Sequence, residues 1–175
     1  MPRRYTIAPA IGYREGSTNG RHGDRHLADS ELRSRVSDGD YRLEEQVGFL
    51  LRRAQQRATA IFTARFAGYG LTPTQFAALA KIADEGEVSQ NRLGRLTAMD
   101  PATMKGVIDR LSERGLIAGR ADQEDRRRTQ WRLTDPGAAL LAAAYGDGFA
   151  VTAEILDPLS PRERATVLRL LAKIV

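Results

Sequence analysis

After Gly115 the spacing of apolar residues changes from the three- and four-residue steps of a helix to a step near two. Residues 116–121 and 129–133 follow this shorter period, and residues 122–128 between them are highly charged. Alternation at a step of two is typical of half-buried strands, so we predict a two-stranded hairpin with a charged tip. Because helical patterns lie on both sides of the hairpin, the fold class is expected to be mainly α with a small β element.

Six helices are predicted around this hairpin from apolar residues at helical steps and from residues that begin and end helices. Their spans are residues 41–68, 72–85, 89–97, 101–114, 135 onward and 160–175. The second and last helices begin with the residue pairs of capping boxes, Thr72 with Gln75 and Ser160 with Glu163. If the fifth helix is interrupted, we expect the break at residues 146–148, because the glycines there weaken a helix.

The basic residues are almost all arginines. The 175 residues suit about one domain, the formal net charge is +5, and arginine supplies 24 of 27 basic residues. The planar guanidinium suits phosphates and guanine edges, although an arginine excess also follows from GC-rich coding. Charge is therefore compatible with a polyanionic partner but does not identify one.

Residue types that support catalysis and metal binding are scarce. The chain has no cysteine, which excludes disulfides, thiolate metal sites and a cysteine nucleophile. Both histidines, His22 and His26, fall in residues 1–40, a polar stretch without sustained apolar periodicity that we interpret as an N-terminal arm. No phosphate-binding glycine loop or dinucleotide fingerprint occurs in the sequence. We therefore expect no enzymatic activity, no cofactor and no metal site.

The N-terminal residues do not have the pattern of a targeting segment. No apolar core follows the first arginines, so a secretory signal is not expected. The sequence also has no unbroken apolar run of about eighteen residues. We expect a cytoplasmic protein without a membrane span.

The fourth helix is expected to present a polar face to solvent. Its apolar residues fall at one helical face: Met104, Val107, Ile108 and Leu111. Thr103, Lys105 and Arg110 are turned away from that face, and Asp100 before Pro101 is the expected N-cap residue.

Two short helices, a tight turn and a hairpin with an arginine tip form a winged helix-turn-helix in outline. In this arrangement the second helix enters the major groove of DNA, and the wing reaches the minor groove. The candidate DNA-binding residues are Thr103, Lys105, Arg110, Arg126, Arg127 and Arg128. A solvated hairpin tip is the alternative interpretation of the last three.

Over residues 41–175 the chain resembles the MarR (multiple-antibiotic-resistance regulator) transcription factors. The resemblance rests on Asp-x-Arg at the wing (Asp125, Arg127), on Leu133-Thr134-x-x-Gly137, and on the flanking residues 109–111 and 115–117. It implies that the Arg127 side chain enters the minor groove and that Asp125 helps to hold it there. Residues 1–40 exceed the typical family N-terminus, so the resemblance implies nothing for them.

The first helix and the last two carry more apolar surface than a small winged-helix core covers. Mutual burial in a two-fold homodimer is the simplest explanation, and cover within one chain is the alternative. MarR-like proteins are similar in forming dimers through interlocked terminal helices. Such a dimer predicts an inverted-repeat operator with half-sites roughly 34–36 Å apart.

Aromatic residues concentrate where the first, second and fifth helices are expected to meet. Core packing explains most of them, but the resemblance implies a small aromatic carboxylate or phenolic effector near this junction. The candidate ligand-binding residues are Phe62, Arg65, Phe66, Tyr69, Phe76, Tyr145 and Phe149. Arg65 is the candidate partner of a ligand carboxylate.

Together these patterns predict an arm (1–40), a helical dimerisation region (41–68 and 135–175) and a winged helix-turn-helix domain (72–134). The expected function is that of a homodimeric DNA-binding transcriptional regulator, most often a repressor in the family, released by a small molecule. The alternative is a winged-helix module that binds protein without specific DNA binding. An apolar or acidic outward face on the fourth helix would favour that alternative.

Overall fold

In the computed structural model, which describes residues 41–122 and 128–175, helices dominate and a small antiparallel sheet is present. The elements are α1 (Val47–Arg65), α2 (Pro73–Glu85), β1 (Val88–Ser89), α3 (Gln90–Leu96), α4 (Pro101–Glu113), β2 (Ile117–Ala121), β3 (Thr129–Leu133), α5 (Asp135–Ile155) and α6 (Pro161–Leu171). The predicted fold class is confirmed. Residues 47–175 belong to one compact unit, and residues 41–46, outside that unit, contain a 3₁₀ turn at Leu43–Glu45.

The predicted capping residues bind the free N–H groups at the helix starts. In α2, Thr72 Oγ1 accepts from Gln75 N at 3.3 Å, and Gln75 Oε1 accepts from Thr72 N at 3.0 Å. The same reciprocal pair links Ser160 with Glu163 at the start of α6. The Ser160 hydrogen bonds lower the pKa of the Glu163 carboxyl, because they favour its charged form.

Two predicted helices are longer than the helices of the structure, and one is the last, which was expected at residues 160–175 but is Pro161–Leu171 because the chain passes into a turn after Leu171. The first helix was expected to span residues 41–68, but α1 is Val47–Arg65, because Gln46 has an extended backbone and a 3₁₀ turn at Ala67–Tyr69 follows the helix. Gly146 and Gly148 do not interrupt α5, which is continuous. A Cβ on Gly148 would lie 3.0 Å from Phe76 Cζ, so this glycine allows α5 to approach α2 closely.

The sheet has the order β1–β3–β2, and both pairings are antiparallel. The predicted hairpin is β2–β3, with Gly119 opposite Trp131. Strand β1, with Val88 opposite Trp131, was not predicted, because two residues are too few to show a period. It ties the start of the helix-turn-helix to the base of the wing.

The core lies among α2, α3, α4, α5 and the sheet. Leu79, Ile82, Leu93 and Leu141 are among its fully buried side chains. All four apolar residues predicted for the inner face of α4 are buried, so the opposite face of that helix is turned to solvent.

Helix α5 has a mean hydropathy of 1.2 and 21 residues, long and apolar enough by these measures to cross a membrane. The sequence shows no unbroken apolar run here, because Asp147 and Glu154 interrupt the apolar residues. Core helices that never contact lipid pass the same test, so this is weak evidence for a span. Both acids contact Arg65 of α1, and Leu141, Ala144 and Val151 pack in the core.

Candidate nucleic-acid interface and effector region

The first turn of α4 is fixed by Asp100. Its Oδ1 accepts from the backbone N–H groups of Ala102 (3.0 Å) and Thr103 (2.9 Å), and its Oδ2 accepts from Thr103 Oγ1 (2.6 Å). These bonds, with that of the Thr103 hydroxyl the largest contributor, lower the pKa of Asp100. The Thr103 side chain is therefore held at the exposed start of the helix.

The other two candidates on α4 are also exposed. Lys105 Nζ lies 2.5 Å from Asp109 Oδ2, one turn along the helix, so a DNA contact by this lysine competes with an intrahelical ion pair. Arg110 extends back over Gly106, where a Cβ would lie 3.4 Å from its Nη2. Thr103, Lys105 and Arg110 are thus all exposed, with Thr103 and Arg110, seven residues apart, along one side of the helix and Lys105 on the other side of the solvent-facing surface.

The candidates at the wing tip fall largely outside the described residues. This applies to Asp125, Arg126 and Arg127. Arg128 is described, is exposed, and lies at the base of the wing next to β3.

A cleft of about 480 Å³ lies between the start of α3 and the base of the wing. It is lined by Ser89, Gln90, Asn91, Arg95, Arg128, Thr129 and Trp131. Two guanidinium groups and several amides and hydroxyls make this lining suitable for an anion. Of these residues only Arg128 was predicted from the sequence as a site residue. The run of polar residues that opens α3 was the available signal.

The Leu-Thr-x-x-Gly motif has a structural role here. Thr134 Oγ1 accepts from Gly137 N at 3.2 Å as the N-cap of α5, and donates to Gly115 O at 2.7 Å. Thr134 is therefore the residue that caps this helix. A Cβ on Gly137 would lie 1.9 Å from Leu116 O, so only glycine permits this approach.

Most of the aromatic candidates pack together. The rings of Phe62 and Phe66 stack with centroids 3.8 Å apart, and Phe66 contacts Phe76 edge-on at 4.9 Å. Tyr69 adjoins Phe66 at 5.4 Å, and Tyr145 adjoins Phe76 at 6.3 Å. Burial raises the pKa of Tyr145, and the nearby Asp84 carboxylate adds to the effect.

Phe149 and Arg65 stand apart from this cluster. Phe149 is 77% exposed, and the structure gives its ring no contact with those of the cluster. Arg65 Nε donates to Glu154 Oε2 at 2.6 Å, and Arg65 Nη1 lies 3.8 Å from Asp147 Oδ1. A ligand carboxylate at Arg65 therefore has to compete with two acids of α5.

Tyr69 connects the aromatic cluster to these charges. Its hydroxyl donates to Asp147 Oδ2 at 2.7 Å and lies 3.1 Å from Ala143 O. The hydrogen bond to Asp147, more than burial or the acid's charge, raises the pKa of the tyrosine. Tyr69 thus stays neutral and remains a donor to α5 at neutral pH.

Comparison with known proteins identifies relatives along most of the chain. The HTH-type transcriptional repressor NicR of Pseudomonas putida is 40% identical over 135 residues, which cover 77% of this chain and 85% of NicR. A probable transcriptional regulator from Pseudomonas aeruginosa is 47% identical, with a TM-score of 0.74, over 77% of this chain and 100% of that one.

A third similar protein is Bordetella bronchiseptica BpsR, whose structure concerns the regulation of DNA binding by 6-hydroxynicotinic acid. It is 40% identical, with a TM-score of 0.75, over 78% of this chain and 97% of BpsR. The sequence pattern of the MarR family matches residues 69–128, which include α2, α3, α4 and β2. The chain therefore belongs to the MarR family of transcriptional regulators.

Proposed function

We propose that this protein is a homodimeric transcriptional repressor that binds an inverted-repeat operator and is released by a small aromatic carboxylate. The observation that carries the proposal is the exposed polar face of α4, placed beside a wing and an arginine-lined cleft. Family membership assigns a regulatory, non-enzymatic role. DNA binding then takes place in the cytoplasm.

The proposed DNA contacts divide into two kinds. Thr103, Lys105 and Arg110 on α4 face the base edges of a major groove, because a helix with short exposed side chains at its start can approach them closely. Arg95 and Arg128 in the cleft face the phosphate backbone, and Arg127 at the wing tip enters the minor groove. Base contacts provide sequence specificity, and phosphate contacts provide affinity.

The dimer is supported by apolar surface that the single chain leaves bare. At the start of α1, Val47 is 68% exposed and Leu50 and Leu51 are also exposed. Near the chain end, Leu168 and Ile174 are exposed as well. Among the described residues, nothing within one chain covers these faces, which favours a second copy over cover within one chain. We propose that residues 47–68 and 135–175 bury them against a second copy, beside a DNA-binding domain at 72–134.

The effector class is supported by the chemistry between α1 and α5. Aromatic side chains pack around Tyr69, a hydroxyl donor, and Asp147 connects the Tyr69 hydroxyl to the cation Arg65. BpsR, a relative with 40% identity, is regulated by a heteroaromatic carboxylate. We propose a ligand of the same class, whose carboxylate displaces Glu154 from Arg65 and shifts the dimer toward a shape that binds DNA weakly.

The test is a fluorescence-anisotropy titration of the purified protein against duplex from its own upstream region and against scrambled duplex at about 150 mM salt. We expect tight binding to the upstream duplex alone, weakened by Arg127→Ala and by Arg95→Ala. Arg92→Ala is the control, since Arg92 is on the same helix as Arg95 but pairs with Glu85. Adding 6-hydroxynicotinic acid is expected to release the duplex.

Equal weak binding to both duplexes, unaffected by the arginine substitutions, would contradict the proposal. That result would favour the winged-helix module that binds protein. Thr103, Lys105 and Arg110 argue against this alternative, because the outward face they form is neither apolar nor acidic overall.

A further inference from the structure

The residue that ends the proposed DNA-reading helix is bound to the turn after α1. Arg114 Nη1 donates to Gly70 O at 2.6 Å, and Arg114 Nη2 donates to Tyr69 O at 3.0 Å. Backbone carbonyls at the ends of helices lack intrahelical partners, and the fork of a guanidinium can serve two at once. Gly70 has φ +61°, a left-handed conformation that suits glycine.

The same turn is bound to α5 from its other side. The Tyr69 hydroxyl donates to Asp147, and the Tyr69 ring packs against Phe66. Asp147 in turn lies near Arg65, which pairs with Glu154. A single residue, Tyr69, therefore contacts Arg114 through its carbonyl and α5 through its side chain.

We propose that Arg114 is a positioning residue that clasps the reading helix to the turn at Tyr69 and Gly70, and so transmits movements of α5 to α4. This rests on the proposed function, since the position of α4 matters for regulation only if α4 reads DNA. Arg114 lies roughly 18 Å along the helix from Ala102, at a rise of about 1.5 Å per residue. A small rotation at Arg114 thus displaces the reading end of α4 without removing any group that contacts a base there.

The contacts also indicate how a ligand bound at Arg65 would change the position of α4. A carboxylate ligand that takes Arg65 from Glu154 and Asp147 alters the charges beside the Tyr69 hydroxyl. The turn then changes its contact with α5, and Arg114 carries this change to the end of α4. Coupling of this kind requires an element with two arrangements, which the turn at residues 67–70 would provide.

The test measures the distance between α4 and α5 within one subunit. The chain has no cysteine, so Ala102→Cys and Ala153→Cys place two spin labels on exposed positions of α4 and α5. Labelled protein is diluted with excess unlabelled protein so that each dimer carries one labelled subunit. Pulsed electron–electron double resonance on the DNA-free protein then gives the distribution of the distance between the two spin labels.

We expect a narrow distribution for the parent protein and a broad one for Arg114→Ala. Arg114→Lys, which keeps a charged donor, should restore most of the narrow peak. Arg120→Ala is the matched control, because Arg120 also makes a long-range contact, an ion pair with Glu87, which belongs to neither α5 nor the turn. A merely destabilising substitution would lower the melting temperature without broadening the distance in the folded protein.

A distribution in Arg114→Ala as narrow as that of the parent would overturn the inference. Tyr69→Phe tests the same connection from α5 if Arg114→Ala fails to fold, and an unchanged distance there would overturn it equally. A failure of the proposed function would be recognised by a different measurement from a failure of this inference. Loss of sequence-specific binding in a parallel anisotropy titration would refute DNA reading, while the intrasubunit distances would still report on the clasp.

Discussion

At the residue scale, one glycine decides how closely α5 approaches the residue before β2. Gly137 lies against the backbone of Leu116, where a Cβ would overlap the carbonyl oxygen at 1.9 Å. Gly146, nine residues further along the chain in the same helix, has no atom within 4 Å of a Cβ position. Substitution by alanine is therefore expected to change the free energy of unfolding in opposite directions at these two glycines.

Gly137→Ala is expected to lower the free energy of unfolding by about 1–3 kcal/mol or more, because the backbone must shift to admit the methyl group. Gly146→Ala is expected to raise it by about 0.4–1 kcal/mol, since alanine restricts the unfolded chain. Urea unfolding followed by circular dichroism measures both. Equal stability of Gly137→Ala and the parent would show that α5 does not need this close approach.

Arg95 and Arg92 offer a second matched pair. Arg95 lines the cleft beside the wing, whereas Arg92 pairs with Glu85 at 2.7 Å. If Arg95 binds a phosphate, Arg95→Ala should reduce the slope of log K against log salt concentration by about 0.9, and should weaken specific and scrambled duplexes alike. Arg92→Ala should leave the slope unchanged. An unchanged slope in Arg95→Ala would remove the cleft from the DNA interface.

At the element scale, α4 depends on its N-cap. Asp100 supplies acceptors to two backbone N–H groups and to the Thr103 hydroxyl, so it holds the turn that carries two of the proposed base contacts. Its pKa is lowered in the folded protein by these bonds. The charged cap therefore stabilises the fold fully above the unfolded-state pKa of about 3.9, and this contribution is lost as the pH falls through the lower folded-state value.

Asp100→Asn is expected to be less stable than the parent at about pH 7 and to approach the parent's stability as the pH falls below the unfolded-state pKa of about 3.9, because asparagine keeps the cap geometry without a titrating charge. The measurement is urea unfolding of both proteins across this range. A stability difference independent of pH would mean that the charge on Asp100 does not contribute.

Element boundaries show what the sequence could predict. The caps at Thr72, Asp100 and Ser160 are local patterns, and the structure confirms each. The break at Gln46 and the continuity of α5 past Gly148 depend on backbone geometry and on the distant Phe76 ring. Local residue types do not encode such contacts, so these boundaries were missed.

The candidate site, like the helix boundaries, could be predicted from the sequence only in part. The exposed face of α4 followed from helical periodicity, and family resemblance supplied roles for the wing. The pairing of Arg65 with Glu154 joins residues 89 positions apart, and the contact of Arg114 with Gly70 joins residues 44 apart. Only the folded chain reveals that the predicted ligand partner is already occupied.

At the scale of the whole molecule, the bare apolar faces of α1 and α6 predict a dimer. Leu168→Glu is expected to raise the dimer dissociation constant roughly 10²–10³-fold. In a two-fold dimer the substitution removes one buried leucine from each subunit. Thr166→Glu adds the same charge to the same helix at an exposed polar position and is the control. Sedimentation velocity measures both. A parent protein that sediments as a monomer would contradict the dimer directly.

The sparse burial of α5 has a consequence for how the regulator behaves in the cell. Only 17% of the residues in its most apolar stretch are buried within one chain, so a second copy would add to the burial that folding begins. Dissociation and unfolding then become parts of one equilibrium, and the melting temperature rises with protein concentration. The lifetime of the protein in the cell would therefore increase with its concentration, because dissociated subunits are more open to proteases than subunits held in dimers.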